Sequence, residues 1–150
     1  MSLKGSKVGV SVDLAQAGPQ ATGEGNDTLR GVEIVIGSRH DDVLKGDAVR
    51  NALYGEGGSD LIQGLGGNDF LIGGPGNDEL LGGDDNDLIQ GDDPVKDAIG
   101  DDRLFGEAGD DVLEGGPNAT AVGDSGDGGP HVAGDRCSEI ETPTNCEIVS

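Results

Sequence analysis

The sequence predicts an all-β protein wound as a coil of very short parallel strands. Three observations carry this reading. Glycine supplies 30 of the 150 residues. From Gly37 the chain divides into nine-residue units. In every unit the eighth position is apolar. A conventional layered core is excluded by the shortage of large side chains, with no Trp, one Tyr and two Phe.

Charge narrows the function classes. Acidic residues outnumber basic ones 30 to 9, a formal net charge of −21. Nucleic acid needs a basic footprint, so it is not an expected partner. An anionic membrane would repel the chain, and no apolar run approaches the ~20 residues of a spanning helix. Two readings survive: a disordered acidic tail, or a fold whose carboxylates have a counter-charge that the sequence does not show. The periodicity selects the second.

The units are GSRHDDVLK (37–45), GDAVRNALY (46–54), GEGGSDLIQ (55–63), GLGGNDFLI (64–72), GGPGNDELL (73–81), GGDDNDLIQ (82–90) and, after a longer stretch, GEAGDDVLE (106–114), with TGEGNDTLR (22–30) as an earlier copy. Position six is Asp27, Asp42, Asp60, Asp69, Asp78, Asp87 and Asp111, with Asn51 as the exception. Position eight is Leu29, Leu44, Leu53, Ile62, Leu71, Leu80, Ile89 and Leu113. Ile89 and Leu104 are 15 residues apart, nine plus six, which puts Asp102 on position six and reads 91–102 as an enlarged turn. Val122 continues the inward series, as do Cys137 and Cys146.

With a single constant apolar position, only about three residues per unit can be strand. The other six form a turn in which glycines take backbone conformations that other residues avoid. Turn and strand, repeated, wind into a coil. Two units make one coil of 18 residues with two facing parallel sheets, and position eight fills the narrow core. Stability then accumulates along the stack.

Winding brings every second turn onto the same edge. Asp60 lies between Asp42 and Asp78, and Asp69 lies between Asn51 and Asp87. Unscreened columns of like charge oppose folding. A hard divalent cation between adjacent turns removes the conflict. Asp carboxylates and turn carbonyls offer the oxygen-only shell that Ca²⁺ prefers, whereas Mg²⁺ demands shorter bonds and keeps its waters.

GGPGNDELL (73–81) is a complete copy of G-G-x-G-x-D-x-U-x, with U a large apolar residue. The segment 22–114 thereby resembles the hemolysin-type (RTX) calcium-binding repeat family. The resemblance implies a right-handed parallel β-roll that binds several Ca²⁺ ions through position six. Carried over, the metal ligands are Asp42, Asp60, Asp69, Asp78 and Asp87, with Asp27, Asp102 and Asp111 beyond this central set. Carbonyl oxygens come from turn glycines Gly55, Gly57, Gly64, Gly66, Gly73, Gly76 and Gly82. The sequence departs from the pattern in four places. Asn51 and Val49 leave the turn 46–51 poor in charge and glycine. Asp102 follows the enlarged turn. Thr120 stands at position six of 115–123. Asp85 takes a usual glycine position and brings a further carboxylate.

GDSGDGGP (123–130) echoes the nucleophile motif of trypsin-like proteases, but the inserted Asp127 breaks it and the composition makes a chance match. The chain is read as non-catalytic: any catalytic residues would lie outside it. Cys137 and Cys146 form C-x8-C. A disulfide closing the last coil is favoured over a lone metal site, and it suits an oxidising, extracellular setting. Positions seven and nine point outward. On one sheet they include Tyr54, Phe70, Ile72, Leu88 and Val112, an apolar face expected to meet a second copy, a neighbouring domain or the terminal segment.

By domains, 1–7 reads as an expression leader without signal-peptide shape. Val8, Val10 and Val12 read as an entering strand. Residues 8–122 form the calcium-binding roll, and 123–150 form a loop and C-terminal cap with the disulfide. The expected function is calcium-coupled folding of a secreted module. The alternatives are the calcium-binding appendage of a secreted protease or lipase, and an adhesion or surface module.

Overall fold

A computed structural model describes residues 1–23, 25–93, 100–116, 125–129, 136–138, 142–144 and 147–148. Its strands, in chain order, are β1 (Ser11–Asp13), β2 (Gln20–Ala21), β3 (Asn26–Asp27), β4 (Ile34–Ile36), β5 (Val43–Lys45), β6 (Ala52–Tyr54), β7 (Leu61–Gly66), β8 (Phe70–Ile72), β9 (Glu79–Asp84), β10 (Leu88–Gln90), β11 (Arg103–Ala108), β12 (Val112–Glu114), β13 (Ser125–Asp127), β14 (Arg136–Ser138), β15 (Thr142–Thr144) and β16 (Glu147–Ile148). Among the described residues no helix is long and apolar enough to cross a membrane.

From β4 onward, successive strands alternate between two parallel sheets. One runs β1-β5-β7-β9-β11-β13-β15, and the other β4-β6-β8-β10-β12-β14-β16. This is a parallel β-roll. Its register follows the nine-residue period. Leu44 pairs with Ile62 and Ile62 with Leu80, while Val35 pairs with Leu53, Leu53 with Leu71 and Leu71 with Ile89. At the enlarged turn the partners are 24 residues apart, Leu80 with Leu104 and Ile89 with Leu113, so the added residues leave the stacking intact.

The core is correspondingly narrow. Leu44, Leu53, Ile62, Leu71, Leu80, Ile89, Leu104 and Leu113 are all 0% exposed. Leu→Ala at such a site costs about 2–5 kcal/mol, and one such residue per unit is the main apolar contribution of each repeat.

The opening residues pack into the fold. Ser2 bridges to Ile36, the Leu3 amide donates to the Ile36 carbonyl at 2.7 Å, and Leu3 is buried in the core. Lys4 pairs with Glu56 at 2.7 Å. Val10 and Val12 are buried beside β5, but Val8 is exposed because the strand begins only at Ser11.

One expected repeat does not join the coil. Residues 22–30 carry the pattern, yet β2 and β3 form an antiparallel hairpin there. Position one explains the difference. In the stacked units it is a glycine pressed between its own position-six side chain and the next coil. A β-carbon on Gly73, for example, would stand 2.6 Å from the Gly91 carbonyl oxygen. Thr22 has a side chain at that position. It is fully buried, and its hydroxyl donates to Asp27 Oδ2 at 2.5 Å.

Past Leu113 the spacing also changes. Leu104 pairs with Gly126, 22 residues on, in place of Val122, which lies outside the described residues. Cys137 pairs with Leu113 on one side and Ile148 on the other, and is 2% exposed. Cys146 and Thr120 lie outside the described residues.

Candidate metal ladder

Each turn ends at position six, where the chain enters a strand. The side chain points in beneath the turn, and Asp42, Asp60, Asp69, Asp78, Asp87, Asp102 and Asp111 are at most 3% exposed. They form the two expected columns. On one edge the Asp42 amide donates to Asp60 Oδ1 at 2.8 Å, Asp60 to Asp78 Oδ1 at 2.8 Å, and Asp78 to Asp102 Oδ1 at 2.9 Å. On the other, Asn51 donates to Asp69 Oδ1 at 2.7 Å, Asp69 to Asp87 and Asp87 to Asp111 at 2.8 Å each. Every link joins neighbouring coils. Asp27 is outside both columns, held in the hairpin by Thr22.

The second carboxylate oxygen decides the chemistry. Oδ2 of Asp60, Asp69, Asp78 and Asp87 is buried and accepts no hydrogen bond. A buried charged oxygen without a partner is costly. Burial is therefore the largest influence on these groups. It pushes the Asp78 carboxyl from its ordinary 3.8 up to about 8, against relief from the Asp60 amide, with the Asp60, Asp102 and Asp92 charges adding to the rise. Burial likewise raises Asp60 to about 7 and Asp87 to about 7. Asp69 rises only to about 6, with the Asn51 amide and the Arg50 charge pulling it down. Such groups need either a proton or a cation at neutral pH.

The surrounding oxygens suit a cation. Where a β-carbon on Gly55 would stand, Asp60 Oδ2 lies closer than van der Waals contact and the Gly73 carbonyl oxygen is 2.7 Å away. The same arrangement joins Gly64, Asp69 Oδ2 and the Gly82 carbonyl, and Gly73, Asp78 Oδ2 and the Gly91 carbonyl. Gly57 is roomier, with the Pro75 carbonyl 3.6 Å from such a carbon; the Gly66 amide donates to the Asp47 carbonyl at 3.1 Å; Gly76, at φ 135°, is pressed under Gly58. Among the described residues no three His, Cys, Asp or Glu side chains gather into one metal site. Carboxylates and main-chain carbonyls together are the donor set, hard oxygens of the kind Ca²⁺ takes. The residues present fit that ion.

A second ladder at position five is absent from the sequence reading. Asp41 Oδ1 accepts the Ser59 amide at 2.8 Å, Asn77 accepts Asp101 at 3.2 Å, and Asn86 accepts Asp110 at 3.0 Å. It runs opposite to the position-six ladder: here the earlier coil supplies the side chain. The signal was visible as Asn, Asp or Ser at position five of nearly every unit. Asp85, on a glycine position, has a left-handed φ of 76°.

A solenoid of nine-residue turns with stacked, buried, orphaned carboxylates is the architecture of a repeat that holds cations along its edges. The family model HemolysinCabind, the RTX calcium-binding nonapeptide repeat in four copies, matches residues 36–71, 54–89 and 89–119. These matches span more than half of the chain, and the chain belongs to this family. No curated protein and no solved structure matches it.

Proposed function

We propose that this calcium-binding repeat module is non-catalytic and folds outside the cell when several Ca²⁺ ions bind along its two edges. One observation carries the reading: Oδ2 of Asp60, Asp69, Asp78 and Asp87 is buried without a hydrogen-bond donor. Bound Ca²⁺ supplies the positive charge those oxygens lack. The protein's part is to hold the oxygens in register, through the position-six amides, and to keep water from them. Because the columns exist only when coils stack, binding free energy becomes folding free energy. Sites of extracellular modules bind at about 10⁻⁴–10⁻³ M, so the chain would stay unfolded in low calcium and fold on export.

The proposed ligands are Asp60, Asp69, Asp78 and Asp87, followed by Asp102 and Asp111, with the turn-glycine carbonyls. Both parallel sheets continue past residue 122 through β13–β16, so the cap proposed over 123–150 is laid on the 8–122 roll as further strands, and a Cys137–Cys146 disulfide is proposed to close it. The test is far-ultraviolet circular dichroism during Ca²⁺ titration from EGTA. A cooperative gain of strand signal is expected. A chain fully folded in excess EGTA, unchanged by Ca²⁺, would refute calcium-coupled folding.

A surface or adhesion role draws support from the outer face of the β6–β8–β10–β12 sheet. Tyr54, Phe70, Ile72, Leu88 and Val112 are half-buried there, and the Tyr54 and Phe70 rings meet edge to face at 5.9 Å. Self-association through this face is the form of that role proposed for the chain.

A further inference from the structure

The turns are of two kinds, and the difference lies in position two. In the turns starting at Gly55, Gly64, Gly73 and Gly82 this residue takes a left-handed backbone: Glu56 φ 82°, Leu65 φ 82°, Gly74 φ 104° and Gly83 φ 116°. Its amide is then directed to the next coil where the bond is seen, Glu56 to the Gly73 carbonyl at 3.1 Å and Gly74 to the Gly91 carbonyl at 2.8 Å. Nothing in the turn then donates to the position-six Oδ2, which is left bare.

The first coil keeps the same crowding of Asp42 Oδ2 and the Gly55 carbonyl oxygen at Gly37, but its position-two amides are directed otherwise. Ser38 and Asp47 do not have positive φ. Their amides turn back onto their own position-six side chains: Ser38 donates to Asp42 Oδ2 at 2.6 Å, and Asp47 donates to Asn51 Oδ1 at 2.8 Å. The other Asp42 oxygen accepts the Ser38 hydroxyl and the Val10 amide, each at 2.8 Å. Asn51 has no charge: its oxygen is held by the Asp47 amide, and its buried Nδ2, which finds no acceptor, offers a cation no lone pair. Position four agrees. It is His40 and Val49 in this coil, but the left-handed Gly58, Gly67 and Gly76 in the next turns.

We infer that the coil 37–54 takes no cation through position six: Asp42 and Asn51 are closed by their own turns, and the calcium ladder starts at Asp60 and Asp69. This rests on the calcium reading above, and it removes from the ligand set a residue that the family pattern places there. Asp42 is a positioning residue that offers Asp60 Oδ1 its first amide, and the first coil is the platform on which the cation-dependent coils are laid.

The test is diffraction from crystals of the whole chain grown in saturating Ca²⁺, read as anomalous peaks. Peaks are expected beside Oδ2 of Asp60, Asp69, Asp78 and Asp87, with none at the 2.3–2.6 Å bonding distance of Ca²⁺ from an Asp42 or Asn51 oxygen. A peak bonded to either residue overturns the inference. No peak on either edge refutes the calcium reading itself. In solution, equilibrium dialysis should give Asp42→Asn the same number of bound Ca²⁺ ions as the native chain and Asp60→Asn fewer. Loss of an ion in Asp42→Asn alone would also overturn it. Should that variant not fold, the diffraction result decides.

Discussion

The Asp42 amide and Asp60 Oδ1 meet at 2.8 Å across 18 residues of chain. Asp60 thus closes the preceding coil with one oxygen and leaves the other bare. Removing the carboxylate and merely neutralising it should have different costs. Asp60→Asn keeps an acceptor for Asp42 and loses a cation oxygen. Asp60→Ala loses both and orphans a buried amide, a further ~1–3 kcal/mol. Both variants should bind Ca²⁺ more weakly. Urea unfolding at one fixed Ca²⁺ concentration should separate them by that margin, and equal midpoints would show that the inter-coil bond contributes nothing.

The raised carboxyls predict opposite pH dependences with and without the metal. Asp60, Asp78 and Asp87 rise from 3.8 to about 7, 8 and 7 in the fold. Between those limits the folded, metal-free chain binds more protons than the unfolded one. The contribution of these three groups to stability is therefore fully present below about pH 4 and is lost as pH rises towards 8. Calcium must displace those protons, so its midpoint concentration should fall over the same interval. Circular dichroism of the chain in buffer stripped of divalent ions by chelating resin, at pH 4.5 and pH 8, checks the first statement, and Ca²⁺ titrations at pH 6 and pH 8 check the second. A metal-free chain more structured at pH 8 would contradict the burial argument.

The glycines are not equivalent. A methyl on Gly73 would meet Asp78 Oδ2 and stand 2.6 Å from the Gly91 carbonyl, whereas one on Gly57 finds only the Pro75 carbonyl at 3.6 Å. Gly73→Ala should cost on the order of 1–3 kcal/mol by overpacking and weaken the calcium response. Gly57→Ala should stay within about 0.5 kcal/mol, the usual range of surface changes. Urea midpoints in Ca²⁺ compare the two, and equal losses would mean that all turn glycines serve only flexibility.

Much of this fold was legible because one residue type recurs at one spacing. Asp60, Asp78 and Asp102 could be placed in a column from their numbers alone, even across the enlarged turn, because Leu80 and Leu104 kept the inward count. What escaped was local and conformational. Asp27 has the right neighbours, but Thr22 puts a side chain where stacking leaves no room. Asp42 looks like Asp60 in the repeat, yet the backbone at Ser38 closes it while that at Glu56 leaves Asp60 open. The difference is a dihedral at position two, hinted at only by His40 and Val49 replacing glycine two residues later.

Leu65 is a test of that dihedral. It is 38% exposed and held at φ 82°, so its side chain is only partly covered while its backbone is strained. A left-handed conformation costs an L-residue about 1–2 kcal/mol, more than the ~0.4–1 kcal/mol by which glycine loosens the unfolded chain. Leu65→Gly should therefore stabilise the calcium-bound roll by a few tenths to about 1 kcal/mol, read as a higher urea midpoint, and should leave the number of bound ions unchanged. A lower midpoint would mean that Leu65 contributes packing its exposure does not suggest.

The outer sheet face gives the last prediction. Phe70 and Leu88 are neighbours in register on β8 and β10, and with Val112 they line a cleft of about 350 Å³ that Asp69, Asp87, Asp110 and Arg50 also border. An apolar strip beside a row of acids is soluble alone but loses water-exposed apolar area when two copies meet. Calcium that neutralises the adjacent edge would also weaken the repulsion between copies. Association should therefore appear only in Ca²⁺, and Phe70→Glu with Leu88→Glu should abolish it while the circular dichroism response to Ca²⁺ survives. Sedimentation equilibrium with and without Ca²⁺ measures this directly. A native chain that stays monomeric in saturating Ca²⁺ at high protein concentration would leave the face without a self-association role.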